Sequence, residues 1–253
     1  MTKMKVKKAH YGYYGLPILT IMLVIIFLIG ILLLLYVSKL FGWLILGFAL
    51  YIVISYGISM ISIHRKKGAG FPNILKIIGN EYVLDVGCGL GRMSIGVAKE
   101  LKEGRVIGID IWDKKELWSN SPERAYANAE IEGVREKVEF KHGNVLEIPF
   151  TDNNFDLVTS SSVLNNLHGN DLKVKALSEI YRVLKPGAIF FLVEPLRCLR
   201  MFFLFTPFAF WQLLKKDNWI KLQNKVNFVN PRYHYQDGIG FFAVEKPTKD
   251  GTS

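Results

Sequence analysis

The residues best suited to chemistry in this chain lie between Tyr82 and Asp110. Tyr82 to Val86 is a short apolar run that leads into Asp85-Val86-Gly87-Cys88-Gly89-Leu90-Gly91, after which Met93, Val97 and Leu101 recur at helical spacing. A glycine turn between strand and helix lets the backbone bend sharply, approach a ligand closely and present the free N–H groups of a helix start. A second strand, Arg105 to Ile109, runs into Asp110, 19 residues after Gly91. A carboxylate there can accept both hydroxyls of a ribose, so the unit is expected to bind a nucleoside-containing cofactor. Asp85, two residues before the first glycine, would repel a pyrophosphate and suits a cationic or amino-bearing ligand instead.

The elements that must position these residues follow an α/β pattern. From Tyr82 onward, short apolar runs alternate with helical stretches of about a dozen residues, which predicts βαβ units and a parallel sheet. Phe155 to Ser161 is a further strand. Ala176, Leu177, Ile180 and Leu184 mark an amphipathic helix stopped by Pro186-Gly187, Ala188 to Glu194 is a fifth strand, and Arg232 to Glu245 forms a hairpin around Asp237-Gly238.

Over roughly Ile74 to Pro247 these motifs resemble the class I S-adenosylmethionine-dependent methyltransferases. The resemblance implies a Rossmann-like fold, a mostly parallel seven-stranded sheet with a terminal antiparallel hairpin, and S-adenosyl-L-methionine as cofactor. Val83 to Gly91 is similar to the family's first motif, which implies that Asp85 and the backbone at Gly87 and Gly89 hold the methionine part, with Cys88 and Gly91 of the same turn also at the cofactor. Asp110 matches the ribose-binding acid, and Ile111 and Trp112 match positions that pack on adenine. Gly143-Asn144-Val145 resembles the Gly-Asp-Ala segment whose side chain reaches the adenine amino group. Asparagine replaces the acid here, and its carbonyl can still accept that hydrogen bond. Phe155 to Ser161 matches the fourth strand, whose end lies beside the transferred methyl group and places Ser160 among the cofactor-binding residues, and Arg182 to Gly187 matches the family's Arg-Val-Leu-Lys-Pro-Gly segment. Related enzymes often carry a histidine where this chain has Asn165, so a base at that position is excluded and His168 is the nearest catalytic candidate. Methyl transfer from a sulfonium is an in-line displacement with a good leaving group. Proximity and orientation can therefore supply much of the acceleration, and a base is needed only for acceptors such as hydroxyls or carbon acids.

The N-terminal part is of another kind. Leu16 to Tyr36 is free of charge, and a second uncharged run extends from Leu40 to Ile63. Each is long enough to cross a hydrocarbon core of ~30 Å, so residues 1–67 read as a membrane anchor with transmembrane helices at about 16–36 and 41–63. Residues 68–80 read as linker and pre-strand segment, with Gly68, Ala69, Gly70 and Pro72 as a flexible exit, and 81–253 as the methyltransferase domain. Lys3, Lys5, Lys7 and Lys8 before the first span and Arg65, Lys66 and Lys67 after the second, against Lys39 in the turn, place both termini and the domain on the cytoplasmic side, as an integral protein of a prokaryotic plasma membrane. Tyr11, Tyr13, Tyr14, Tyr36 and Trp43 fall where interfacial aromatics are expected. The spans contain no Asp, Glu or Arg, which argues against an ion pathway.

The formal charge of +10 suggests a polyanion binder until it is divided by position. Residues 1 to 80 hold nine basic residues and no acid, while the remainder carries 23 basic against 22 acidic residues, so no nucleic-acid partner is expected. Cys88 and Cys198 are too few for a disulfide framework, which suits a reducing compartment. No metal ligand set is expected.

The least regular stretch, Leu196 to Phe228, contains the aromatic run Met201 to Trp211 and carries +5 over residues 197 to 225. It reads equally as a lid helix, broken or kinked at Pro207, or as a membrane-interface insertion. The resulting expectation is a membrane-anchored methyltransferase acting on a small hydrophobic or membrane-resident acceptor, a lipid headgroup or a quinone-like ring, with the bilayer as partner. The alternatives are a soluble small-molecule acceptor, a membrane-protein side chain, or a cofactor-binding membrane module without catalysis.

Overall fold

The structure is a computed structural model that describes residues 8–13, 15–65, 73–204 and 210–248. Two long helices come first, α1 (Leu16–Tyr36) and α2 (Lys39–Arg65). They are antiparallel. A Cβ on Gly30 would stand 2.7 Å from the Leu46 side chain, and one on Gly42 would stand 2.7 Å from the Leu34 backbone nitrogen. Glycine is needed at both places for the helices to approach this closely. Val37 and Ser38 N–H both donate to the Leu33 carbonyl and close the turn. Lys39 is thus the first residue of α2 rather than part of the connection, and α2 extends two residues beyond the predicted span at each end. The flanks Lys3, Lys5, Lys7, Tyr14, Lys66 and Lys67, the exit Gly68 to Pro72, and Pro207 lie outside the described residues.

The α/β unit comprises β1 (Tyr82–Val86), α3 (Arg92–Glu100), β2 (Arg105–Asp110), α4 (Pro122–Ile131), β3 (Val138–His142), β4 (Phe155–Ser161), α5 (Gly169–Val183), β5 (Leu184–Pro195), α6 (Leu199–Leu204), α7 (Lys216–Lys225), β6 (Val229–Gln236) and β7 (Ile239–Glu245). Its seven strands run in the order β3-β2-β1-β4-β5-β7-β6, the first five parallel and β7 antiparallel to both β5 and β6. Leu84 and Val86 of β1 join a core shared with α5 and α7, whereas Val83 joins one shared with α3 and α4. Strands buried on both faces explain why their sequences read as continuous apolar runs. The order reverses at β1, so the carboxyl ends of β1, β2 and β4 frame the crevice where doubly wound folds bind ligands.

The fifth strand begins at Leu184, not at Ala188. Pairing with β4 shifts between Phe155 and Leu157, and Gly187 takes φ +78 in the resulting bulge, where Pro186 need not donate to the ladder.

Among the described residues, hydrogen bonds at both ends of the pair's domain side join the helices to the α/β unit. Gly15 N–H, at the start of α1, donates to the Glu116 carbonyl at 2.7 Å. On α2, the hydroxyls of Tyr51 and Ser55 both donate to the Phe203 carbonyl of α6, at 2.9 and 2.7 Å. The antiparallel pairing sets Ser55 level with about residue 21, so α6 meets the hairpin roughly 8 Å along α1 at 1.5 Å per residue.

Candidate functional site

The turn after β1 is built for close approach. Gly87, Gly89 and Gly91 have φ of +70, +49 and +82, and a Cβ on Gly87 would lie 2.2 Å from Val163 Cγ2. Gly87 and Cys88 N–H donate to the Ile109 carbonyl at 2.8 and 3.0 Å, which ties the turn to β2. Asp110 completes the tie. Its Oδ2 accepts from Gly89 N–H at 2.9 Å, and its Oδ1 accepts from Trp112 N–H at 2.7 Å and Asn120 Nδ2 at 3.0 Å. A carboxylate offers about four lone-pair sites, so a rigidly aimed acceptor is left for a ligand hydroxyl.

Asp85 lies beneath this turn, only 1% exposed. Its oxygens accept from Ser94 Oγ at 2.5 Å and Thr159 Oγ1 at 2.8 Å. Burial pushes its pKa up to about 6 against these hydrogen bonds, and the Asp110 charge adds to the rise. The sequence expectation had Asp85 facing the ligand. The geometry instead has it shape the turn from inside, linking β1 to α3 and β4.

The other expected residues divide into near and peripheral. Ser160 is fully buried beside the turn, paired in register with Val86, and its Oγ has no partner among the described residues. Trp112, at φ +59, packs on the α3–α4 core, while Ile111 is 52% exposed. Asn144 is exposed and its Oδ1 accepts from Leu146 N–H at 2.9 Å, with Gly143 N–H bonded to the Asp110 carbonyl at 3.1 Å. Val145 and Cys88 turn inward, Val145 into the α5 core and Cys88 against Gly108. His168 sits exposed just before α5, at the rim. There Asn166 Nδ2 donates to Glu116 Oε2 at 3.1 Å and bridges the loops after β4 and β2.

Two features escaped the sequence reading. The first is Glu194, buried at the end of β5. Its Oε1 accepts from Val163 and Leu164 N–H at 3.0 and 2.7 Å, and its Oε2 from Asn165 Nδ2 at 2.8 Å, while Lys173, also buried, donates to the Leu167 carbonyl. An acid closing an otherwise apolar strand was the signal. The second is a strap, His10 to Tyr13, laid across the glycine turn. Asn128 of α4 holds it, accepting from His10 N–H and donating to the carbonyls of His10 and Leu90, each at 3.0 Å. A Cβ on Gly12 would meet Leu117 at 2.6 Å and Leu90 at 3.0 Å. Arg92 stacks 4.8 Å from the Tyr11 ring centroid, and burial pushes the Tyr11 hydroxyl up to about 12. No local pattern announces this strap.

Residues 84–192 match the family model described as a methyltransferase domain. A demethylmenaquinone methyltransferase from Lactiplantibacillus plantarum is 41% identical over 117 residues, covering 45% of each chain. The chain spans less than half the length of the first curated relatives it matches. Among solved structures, a SAM dependent methyltransferase from Aquifex aeolicus superposes with a TM-score of 0.54 at 20% identity, over 67% of this chain and 85% of that one. The [4+2]-cyclase SpnF superposes at 0.52 and 17% identity, over 67% and 76%, so the fold alone does not choose the reaction. Residues 84–192 therefore resemble a methyltransferase domain, the fold is the Rossmann-like one of the solved methyltransferase, and the likeness points to S-adenosylmethionine as cofactor. The residues present fit that cofactor: an aimed acid for ribose, a glycine turn that exposes backbone, and an unpartnered buried hydroxyl at Ser160.

Proposed function

We propose that this chain is a membrane-anchored S-adenosylmethionine-dependent methyltransferase whose acceptor is hydrophobic and membrane-resident, quinone-like or carried on a lipid headgroup. Asp110 accepts from a ribose hydroxyl, the turn Gly87 to Gly91 lies against the methionine part with Asp85 beneath it, Trp112, Ile111 and Asn144 flank the adenine with Val145 behind them in the core, and Ser160 lies at the methionine end. The bound cofactor supplies an activated methyl group on a sulfonium. The chain's own residues orient it: the buried Glu194 gathers Val163, Leu164 and Asn165, and Val163 presses on Gly87. His168, at the rim, is placed to take a proton from an acceptor that must lose one.

The observation that carries the choice of acceptor is the bond of Tyr51 and Ser55 to Phe203. It brings the segment leaving β5, at the ligand edge of the sheet, against the second apolar helix. The name of the Lactiplantibacillus relative favours a quinone-like ring.

The test is incubation of membranes carrying the protein with methyl-labelled cofactor, followed by organic extraction. Label is expected in the organic phase. Asp110→Ala should lower cofactor affinity at least tenfold by calorimetry, through loss of a charge-assisted hydrogen bond worth about 1.5 kcal/mol or more. Label confined to the aqueous or protein fraction rejects the acceptor class, and unaltered affinity rejects the cofactor placement.

A further inference from the structure

Where the chain leaves β5 it forms an open groove of about 460 Å³, lined by Arg197, Cys198, Leu199, Phe202, Phe210 and Lys215. Its walls are apolar and aromatic, and its rim carries two cations. Arg197 is held in place: Nε and Nη2 donate to the carbonyls of Leu213 and Trp211 at 2.8 and 2.5 Å, and its guanidinium lies 5.8 Å from the ring centroids of both Phe210 and Trp211. Nη1 has no hydrogen bond and Lys215 no ion pair among the described residues. Arg200, by contrast, is paired with Asp237 at 3.1 Å. The surplus charge of the groove is therefore that of Arg197 and Lys215.

The groove has a definite place relative to the hairpin. Phe203, next to its lining residue Phe202, is fastened to α2 through Tyr51 and Ser55, roughly 8 Å along the helix pair. Interfacial segments bury their apolar faces about 5–10 Å into the headgroup and acyl boundary. Leu199, Phe203 and Trp211 are 75%, 53% and 66% exposed, an apolar surface that only lipid or another macromolecule would cover.

We propose that this groove binds one anionic phospholipid, its phosphate between Arg197 and Lys215 and an acyl chain along Leu199, Phe202 and Phe210. The inference rests on the anchoring reading above and adds a second ligand to it, distinct from the methyl acceptor. Charge complementarity selects the occupant: a zwitterionic lipid gains little from two unneutralised cations, and a soluble phosphate leaves the aromatic wall bare. The bound lipid would brace α6 against α2 and so order the segment beside the catalytic edge.

The full-length protein in non-ionic detergent, titrated with phosphatidylglycerol, phosphatidylcholine or glycerol 3-phosphate and read by native mass spectrometry, tests this. Phosphatidylglycerol should bind about tenfold or more tighter than phosphatidylcholine, and glycerol 3-phosphate should not compete. Lys215→Gln should erase most of that preference, Arg197→Gln with Lys215→Gln all of it, and Arg197→Lys with Lys215→Arg should restore it. Cofactor affinity of Lys215→Gln, measured in parallel by calorimetry, should stay at the parent value, which separates failure of this site from failure of the methyltransferase reading. Equal binding of the two lipids, a preference that survives the double substitution, or equal competition by glycerol 3-phosphate would overturn the proposal.

Discussion

Glu194 shows how much one side chain can hold. Fully buried, it collects the backbone N–H groups that open the loop after β4, and burial pushes its pKa from 4.5 up to about 7. Between those values the folded protein keeps a proton that the unfolded chain has lost. Its contribution to stability is therefore complete below about pH 4.5 and declines as pH rises toward 7. At 1.36 kcal/mol per unit the decline is on the order of 3 kcal/mol. Melting midpoints measured from pH 4.5 to 8 should fall across that window in the parent and less in Glu194→Gln, whose remaining slope, from Asp85, lies below about pH 6. Equal slopes in both proteins would remove Glu194 from this role. Asp110 and the glycine turn were legible in the sequence because their partners lie within some twenty residues. Glu194 was not, since its partners come from another strand's loop.

Among the elements, the strap from His10 to Tyr13 is the least expected and the easiest to disturb. Asn128 is its clasp, and alanine there removes the buried amide that bonds the part-buried N–H and carbonyl of His10 and the buried carbonyl of Leu90. The expected loss is about 1–3 kcal/mol in the local closed state. Asn128→Ala should raise hydrogen exchange at Tyr11 to Tyr13 and weaken cofactor binding roughly fivefold or more. Exchange unchanged at the strap would show that Asn128 does not secure it. Strand and helix identities were readable because apolar periodicity reports burial directly. The early start of β5 was not, because Pro186-Gly187 reads as a stop, whereas a bulge carries the strand through it.

For the whole molecule, the hairpin dominates the surface chemistry. Ile21, Leu35 and Trp43 are 64%, 68% and 66% exposed, and only 6% of the apolar window of α1 is buried. That surface is expected to hold the protein in membranes through an alkaline carbonate wash, and release into the supernatant would refute anchoring. The helices themselves were plain in the sequence from length and lack of charge. Their fastening to the α/β unit was not, because it depends on a backbone N–H at Gly15 and two hydroxyls among apolar neighbours.

The Gly15 bond makes α1 a lever. The helix has 21 residues and spans about 31 Å. A bilayer of different thickness makes such a helix tilt. Its domain-side end is tied to the Glu116 carbonyl, next to Leu117, which crowds Gly89 at 3.0 Å from a would-be Cβ. On the anchoring proposed above, a change in the tilt of α1 would load the Glu116 carbonyl, one residue from the Leu117 side chain that lies against Gly89.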